Sequence, residues 1–519
     1  MTDDRQRRIL KVFRKYSYSL GPDVSKMLED MLDEHQIEDE EVESAMEAIA
    51  LEYSKQEDVD MKVDPVVLAR VYESMKDSDQ RADVEKELLD PESHLFFINA
   101  FEMPLWHWSQ ESGTFTNHRA SDGCVLRNEH FAPSTLPSRD RERLVTLKST
   151  KQLLGRAGER FLLLGMLAHN KEGKLCIEDS DGSVELDFSQ LDEPGDGLFT
   201  EGCFALVEGE YTEEATLQII AIGQPPCEPR ETSRSIYGHI DFLGKGSTSL
   251  LEDSKFAVRI QEELPDLHFF FLSDVWLDHP QTLPGLQKMF DNCIENSFLP
   301  KIIVLCGNFT RQSISHGNSR DVQTYQENFD ALADLIASYP LITRSTHFVF
   351  VPGPLDVTVN GTLPRHHLLS SLTSRLQSKI PKVHFATNPC RIKFFDQEIV
   401  IFREDTMSRM LRNVVGVKPN VASEHLKRYL VQTILDQAHL SPLTINIQPT
   451  LADYDHSLRL YPLPTALVLA DKYDRYKITY TGCHVFNPGR FIGNSFVFST
   501  YKPAEANSEE CVLDMDLED

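Results

Sequence analysis

The feature that most constrains this chain is a set of near-continuous apolar runs in its second half: Leu267-His268-Phe269-Phe270-Phe271-Leu272, Ile302-Ile303-Val304-Leu305-Cys306 and His347-Phe348-Val349-Phe350-Val351. Runs of this kind form strands buried on both faces, the condition of a sheet covered by helices. The stretches between them supply those helices. One carries Leu286, Met289, Phe290, Cys293 and Ile294 at helical spacing, and the next carries Tyr325, Phe329, Leu332, Leu335 and Ile336. Strands alternating with helices define a layered α/β domain. We expect it over residues 226–503, beginning at the break Pro225-Pro226-Cys227-Glu228-Pro229.

At 519 residues the chain exceeds the size at which one core stops growing, so further domains are expected upstream. Residues 1–75 are dense in helix formers. Ile9, Val12, Phe13 and Tyr16 share a helical face, as do Val24, Met27, Leu28, Met31 and Leu32, with Gly21-Pro22-Asp23 as stop and restart. Val42, Met46, Ile49 and Tyr53 mark a third helix, and a fourth begins near Asp64-Pro65, so a small helical bundle is expected. Residues 76–159 read as a linker, polar from Met75 to Glu92, with one connecting helix between Ser138 and Leu154. Over 160–225 the period changes to that of short strands, and Asp181-Gly182 joins two of them as a hairpin turn. Five short strands in so small a span are the size of an OB barrel. Residues 504–519 read as an acidic, disordered tail.

The formal charge of −29 argues against a chain that grips a phosphate backbone by itself, which needs clustered Lys and Arg; a basic partner fits better. The barrel segment is itself rich in acid, with Glu178, Asp179, Asp181, Glu185 and Asp187. It could pack against a neighbouring domain, or stack single-stranded bases on aromatics, and both uses stay open. Nine cysteines without a Cys-x-x-Cys pair fit neither a disulfide framework nor a structural zinc site, which implies a reducing interior. No apolar stretch approaches the roughly 20 residues of a membrane helix, and the first residues lack a signal-peptide core. A soluble, intracellular protein without membrane contact is expected.

In open α/β sheets the chemistry sits in loops beyond the carboxyl ends of the strands. Here those loops are Ser273-Asp274-Val275-Trp276, Gly307-Asn308-Phe309 and Pro352-Gly353-Pro354-Leu355-Asp356. A later strand, Tyr476 to Tyr480, leads into Thr481-Gly482-Cys483-His484-Val485-Phe486-Asn487-Pro488-Gly489. This order of turns resembles the calcineurin-like metallophosphoesterases, whose loops read Asp-x-His, Gly-Asp, Gly-Asn-His and Gly-His-x-His and together hold two metals. Such a pair needs carboxylate and imidazole ligands. On the matching positions Asp274 is kept, but Trp276 replaces His and Asn308 replaces the bridging Asp. Gly353 and Pro354 stand for Asn-His, and Cys483 and Val485 stand for the two His of the last turn. The resemblance therefore implies a degenerate site with no metal, no cofactor and no catalysis, in which Asp274 and His484 persist as hydrogen-bonding structural residues. The adjacent His366 and His367 would point apart in a strand, which favours a surface loop over a metal pair.

An inactive phosphoesterase domain behind an OB barrel resembles the B subunits of the eukaryotic replicative DNA polymerases. The segments that carry the likeness are Phe271-Leu272-Ser273-Asp274-Val275-Trp276-Leu277-Asp278, Phe348-Val349-Phe350-Val351-Pro352-Gly353-Pro354 and Thr387-Asn388-Pro389-Cys390-Arg391-Ile392. Phe402-Arg403-Glu404-Asp405, His439-Leu440-Ser441-Pro442-Leu443 and Leu458-Arg459-Leu460-Tyr461-Pro462-Leu463-Pro464 follow in order. The N-terminal helices and the run Tyr461 to Tyr473 look most like the epsilon type, with the alpha and delta types as alternatives. The resemblance implies a non-catalytic accessory subunit in nuclear DNA replication. Such a subunit would grip the C-terminal zinc-binding region of the catalytic subunit of DNA polymerase epsilon and share the complex with small histone-fold subunits. It would meet DNA only through the complex. The helical bundle, free on its linker, would contact the replicative helicase assembly.

Overall fold

The computed structural model describes residues 2–16, 18–34, 42–54, 62–72, 89–109, 114–116, 146–191, 194–314, 319–359, 361–417, 421–493 and 495–513. It divides into two compact units, Met1–His94 with Arg234–Leu264, and Leu95–Ser233 with Pro265–Asp519.

In the first unit the apolar spacing gives α1 (Thr2–Lys15), α2 (Pro22–Glu34) and α3 (Val42–Ser54), and residues 65–72 are also helical. Their stripes close on one another: Ile9, Phe13, Leu28, Met46, Tyr53 and Leu68 are buried in one cluster. The start of the last helical stretch is set by Asp64, whose Oδ1 accepts from Val66 N at 2.7 Å, with Pro65 in the first turn where no N–H is missed. Lys11 and Lys15 of α1 meet Glu43 and Glu47 of α3 at 3.0 and 2.6 Å. These helices also pack on a later stretch of the chain within the same unit. Lys15 Nζ donates to Ser235 O at 2.6 Å, and the Tyr16 ring lies 5.1 Å from that of His239. The helix Leu250–Glu263, capped reciprocally by Ser249 and Glu252, belongs to the same unit, where Leu89 N donates to Glu263 at 2.8 Å. The expected domain 226–503 is therefore interrupted: residues 234–264 fold with the N-terminal helices. The sequence hid this because a short amphipathic helix does not name the surface it covers.

The second unit begins with β1 (Leu95–Asn99) and a small hairpin, β2 (His107–Ser109) and β3 (Thr114–Thr116). Next come β4 (Leu147–Lys148), β5 (Arg160–His169), β6 (Leu175–Glu178), β7 (Ser183–Asp187), β8 (Phe204–Tyr211) and β9 (Thr216–Gly223). They run β4-β5-β6-β7-β9-β8, and β5 pairs with β8 to close an OB-type barrel around Phe161, Leu163, Val207 and Ile219. Residues 147–153, expected in a connecting helix, form β4 and a 3-10 turn instead, with Leu147 paired beside Leu162 and Leu153 buried in the barrel core. Residues 138–145 of that expected helix, and most of the expected linker, lie outside the described residues.

The layered domain holds β10 (Phe269–Leu272), β11 (Ile302–Cys306), β12 (His347–Val351), β13 (Val383–Phe385), β14 (Cys390–Phe394) and β15 (Gln397–Arg403). It continues with β16 (Ala466–Ala470), β17 (Tyr476–Tyr480), β18 (Cys483–Asn487), β19 (Phe496–Lys502) and β20 (Asn507–Leu513). Two six-stranded sheets result, β13-β12-β11-β10-β19-β20 and β1-β14-β15-β16-β18-β17. Their inner faces meet through aromatic rings: Phe269 lies 5.3 Å from Phe394, and Phe271 lies 5.3 Å from Phe486, both edge to face. The outer face of the first sheet buries Phe270, Leu305 and Phe348 among Leu286, Phe329 and Leu376 of three helices. The second sheet buries Val400, Leu467 and Val485 against Leu430 and Ile434 of helix Ser423–Asp436. Helices thus cover both outer faces, which is why the core strands read as unbroken apolar runs.

The sheets overrun the expected boundaries at both ends. β1 pairs antiparallel with β14, Leu95 opposite Phe394, from a stretch without clear periodicity. Residues 507–513, expected in a disordered tail, form β20 beside β19. The acid misled the reading: Glu509 and Glu510 are exposed while Ser508 and Leu513 are buried, and Lys502 holds Glu509 at 3.2 Å. An edge strand with one charged face looks like a tail when only its charge is read. Residues 514–519 lie outside the described residues.

Candidate functional site

The parallel order β13-β12-β11-β10 brings the loops after these strands to one edge, and the parallel set β15-β16-β18 of the other sheet sends its loops to the same place. Asp274, two residues past β10, sits at the centre with φ +51°, a left-handed conformation that Asp tolerates better than most residues. Its buried Oδ1 accepts from Asn308 N at 3.2 Å, from Asn308 Nδ2 at 3.1 Å and from Arg403 Nη2 at 2.7 Å. Asn308 in turn accepts Leu355 N at 2.9 Å. These contacts set the orientation of its amide, with nitrogen toward Asp274.

Arg403, the last residue of β15, is fully buried. Its Nε donates to Gly307 O, and Nη1 donates to Asp405 Oδ1 at 3.0 Å and Ala470 O at 3.2 Å. Burial opposes its charge, but the Asp274 and Asp405 carboxylates outweigh that and hold the proton above the ordinary guanidinium value. The neighbouring Glu404 points the other way, as strand alternation requires, and is shared by Arg365 and by Arg409, the latter at 3.0 Å. Asp405 also takes Lys472 at 2.9 Å. Two further carboxylates are spent on backbone. Asp356 accepts Phe309 N at 2.8 Å, Gly353 N at 2.7 Å and Tyr325 OH at 3.0 Å; burial pushes it up to about 6 against those donors. Asp471 accepts Met407 N at 2.8 Å and Tyr473 N at 3.0 Å and is likewise raised by burial to about 6.

The expected positions divide into two groups. Asp274, Asn308 and Gly353 come together. Gly353 has a physical reason to lack a side chain, since a Cβ there would stand 2.5 Å from Asn308 Oδ1. Trp276 and Pro354 flank them: Trp276 lies under the guanidinium of Arg490 at 5.7 Å. Cys483 and Val485 are elsewhere. They open β18 inside the apolar core, Cys483 paired with Tyr480 across the β17–β18 hairpin. The loop at the carboxyl end of β18 reaches the site instead: Asn487 Oδ1 accepts Asp471 N at 3.2 Å, and Arg490 Nε lies 3.9 Å from Asp274 Oδ2. The Gly482 turn faces the opposite end of the sheet, so matching the motif at that turn put the last two positions one strand length away.

Arg403, Asp405, Asn388 and Asp356 lay in stretches that the sequence reading singled out, but none of them was given a place at the site. Asn388 donates to Pro352 O at 3.0 Å and accepts Arg403 N at 3.0 Å. The signal was available, since Arg403-Glu404-Asp405 directly follows the apolar run Ile399–Phe402. Of the other histidines, His366 stacks on Phe101 at 4.1 Å while His367 Nδ1 meets Leu368 O at 2.8 Å, so the two rings have separate partners. His484 Nε2 accepts Ser508 N at 3.1 Å and bridges the two sheets; burial lowers it to about 4.

A metal pair needs several converging ligands, and the carboxylates here are turned to N–H and O–H donors of the chain: Asp274 Oδ1 to Asn308 and Arg403, Asp405 to Arg403 and Lys472, Asp356 and Asp471 to backbone. Among the described residues no three His, Cys, Asp or Glu side chains converge as a metal group. The donor set does not fit a pair of divalent ions.

Among the described residues of the barrel, Phe161, Phe199 and Tyr211 are buried in its core, and Phe188 packs against that core rather than offering a ring on which a base could stack. Asp179 is occupied by Thr150, Asp181 and Gly182, and Glu185 by Lys174. The barrel is fastened to helix Ser423–Asp436 and the turn after it. Thr433 Oγ1 accepts Leu198 N at 2.8 Å, and Gln437 pairs with both backbone groups of Phe204 at 2.8 and 2.7 Å.

A closed barrel fastened to a two-sheet layered domain defines the class to which this chain belongs, the B subunits of DNA polymerases. The family model for the B subunit of DNA polymerases alpha and epsilon matches residues 269–477, and the DNA polymerase epsilon subunit 2-like OB-fold domain matches 118–226, starting well before residue 160. DNA polymerase epsilon subunit 2 of Bos taurus is 34% identical over 99% of this chain and 99% of its own length. The Homo sapiens protein of that name is 35% identical with 99% of each covered, and the DNA polymerase epsilon B subunit of Schizosaccharomyces pombe is 34% identical over 78% of this chain and 74% of its own. The chain belongs to the DNA polymerase epsilon subunit 2 family, also called the B-subunit family, and is an accessory subunit of that polymerase.

Proposed function

We propose that this chain is a non-catalytic scaffold of DNA polymerase epsilon whose phosphoesterase-like site has been converted from chemistry to structure. The observation that carries this is the engagement of Asp274 Oδ1, which accepts two donors from Asn308 and one from the buried guanidinium of Arg403. A cation borne by the chain itself already stands against the one carboxylate kept from the metal-binding pattern. The barrel and the layered domain, joined through Gln437 and Thr433, supply a rigid surface on which loops are tuned for protein contact.

In this reading the chain grips the C-terminal zinc-binding region of the catalytic subunit. It sits in one complex with small histone-fold subunits and contacts the replicative helicase assembly through residues 1–75, a helical bundle. It works in the nucleus and meets DNA only through the complex. The charge of −29 suits a basic partner surface.

Two measurements test this. Co-expression with the C-terminal region of the catalytic subunit is expected to give a stable, co-purifying pair. The purified chain is expected to leave a generic phosphate ester intact in the presence of manganese. Hydrolysis that Asp274→Ala abolishes would overturn the non-catalytic reading.

A further inference from the structure

Asp274 Oδ1, Asp405 Oδ1, Gly307 O and Ala470 O come from four different strand ends, and all four accept from the one guanidinium of Arg403. Four oxygens around one cation, two of them carboxylate, are the surroundings a hard metal ion would seek. Both carboxylates already have cationic partners: Arg403 meets each of them, Lys472 holds Asp405, and Arg490 lies 3.9 Å from Asp274 Oδ2. A divalent ion placed there would meet the guanidinium at short range in a low dielectric, which is strongly repulsive.

We propose that the Arg403 guanidinium is a permanent, chain-borne substitute for the divalent metal of a phosphoesterase site. It ties together the ends of β10, β11, β15 and β16 and excludes metal for as long as it is present. Arginine suits the task because its planar fork spreads N–H donors over several acceptors and never loses its proton. Lysine would keep the charge at one point and leave some of these acceptors without a donor. The proposal rests on reading this edge of the sheets as a former metal site, but its test is separate from the test of catalysis.

The experiment is thermal denaturation of the full chain in EDTA and in millimolar MgCl₂ or MnCl₂, for the wild type, Arg403→Lys, Arg403→Ala and Arg403→Met/Asp274→Asn. The wild type is expected to melt at the same temperature in all three. Arg403→Ala is expected to lose on the order of 10 °C in EDTA, because it strands a buried carboxylate. It should regain part of that loss with metal, by mass action on the freed oxygens. Arg403→Lys is expected to fall between the two. The double variant removes both charges, so it should melt above Arg403→Ala in EDTA and ignore metal. If Arg403→Ala is insoluble, the double variant decides: folded and insensitive to metal supports the proposal, and insoluble overturns it. A wild type stabilised by metal, or Arg403→Ala melting with the wild type, also overturns it. A metal-insensitive wild type that nevertheless hydrolysed the phosphate ester would sink the non-catalytic reading and leave the role of Arg403 standing.

Discussion

Asn308 differs from an aspartate by one atom, and that atom decides the electrostatics of the site. Its Nδ2 donates to Asp274 at 3.1 Å. An oxygen in that place would set two buried carboxylates side by side, with Arg403 the one buried cation against them and Arg490 3.9 Å from Asp274 Oδ2. Asn308→Asp is therefore expected to lower stability by about 2–4 kcal/mol at pH 7, read from urea midpoints, with the loss shrinking at pH 4 as the pair takes up a proton. His484 gives a second expectation at this scale. Its pKa falls from 6.5 to about 4 on folding, through burial. The folded state thus refuses a proton that the unfolded state accepts, so stability present above pH 6.5 is lost as pH falls toward 4, by up to about 3 kcal/mol. Asp356 and Asp471, raised to about 6, act in the opposite sense, since their contribution is present at low pH and fades as pH rises through 6. The test is therefore a difference: between pH 4.5 and 6.5 His484→Gln should gain less stability, or lose more, as pH rises than the wild type does, and an unchanged slope would count against this assignment. Sequence made Asp274, Trp276 and Asn308 legible because each follows an apolar run. Arg403 also follows such a run, but its role was not legible there, since a buried arginine is recognised by the partners that surround it.

At the scale of elements, what could be read followed from burial on two faces. β10, β11 and β12 stand where their apolar runs lie, and the helices between them cover one side. β1, β4 and β20 are edge or short strands, and an edge strand satisfies half its backbone from one neighbour without a distinctive side-chain pattern. The β17–β18 hairpin shows a different failure. Its turn contains Gly482 with φ +80° and reads like a functional loop, but it lies at the wrong end of the sheet for Cys483 and Val485 to meet Asp274. The junction of barrel and layered domain yields a prediction of its own. Gln437→Ala leaves the N–H and C=O of Phe204 unpaired and is expected to cost about 1–3 kcal/mol in urea unfolding. If the junction contributes to holding the barrel, hydrogen exchange should speed up at Leu198 and Phe204 before it does at β11. Equal protection at both places would show the two parts unfolding as one.

For the whole molecule, charge and the placement of aromatics point the same way. With Phe161, Phe199 and Tyr211 committed to the barrel core and a net charge of −29, gel-shift titration with single-stranded DNA at low salt is expected to show no tight complex. A salt-dependent shift at nanomolar protein would argue for direct binding. Total charge was readable from composition, whereas the partition of the chain was not. Residues 234–264 fold with the N-terminal helices, and Leu95–Asn99 folds with a domain whose other strands begin at Phe269.

That last pairing sets a clock on biosynthesis. The Leu-Phe-Phe-Ile stretch of β1 leaves the ribosome with no partner, and β14 follows only about 290 residues later, on the order of 15–60 s at ordinary elongation rates. Through that interval an adhesive segment has to be shielded, and the barrel, complete within its own stretch of chain, is in a position to fold while the segment waits. The polypeptide therefore matures out of linear order, with its earliest sheet strand among the last to find its place.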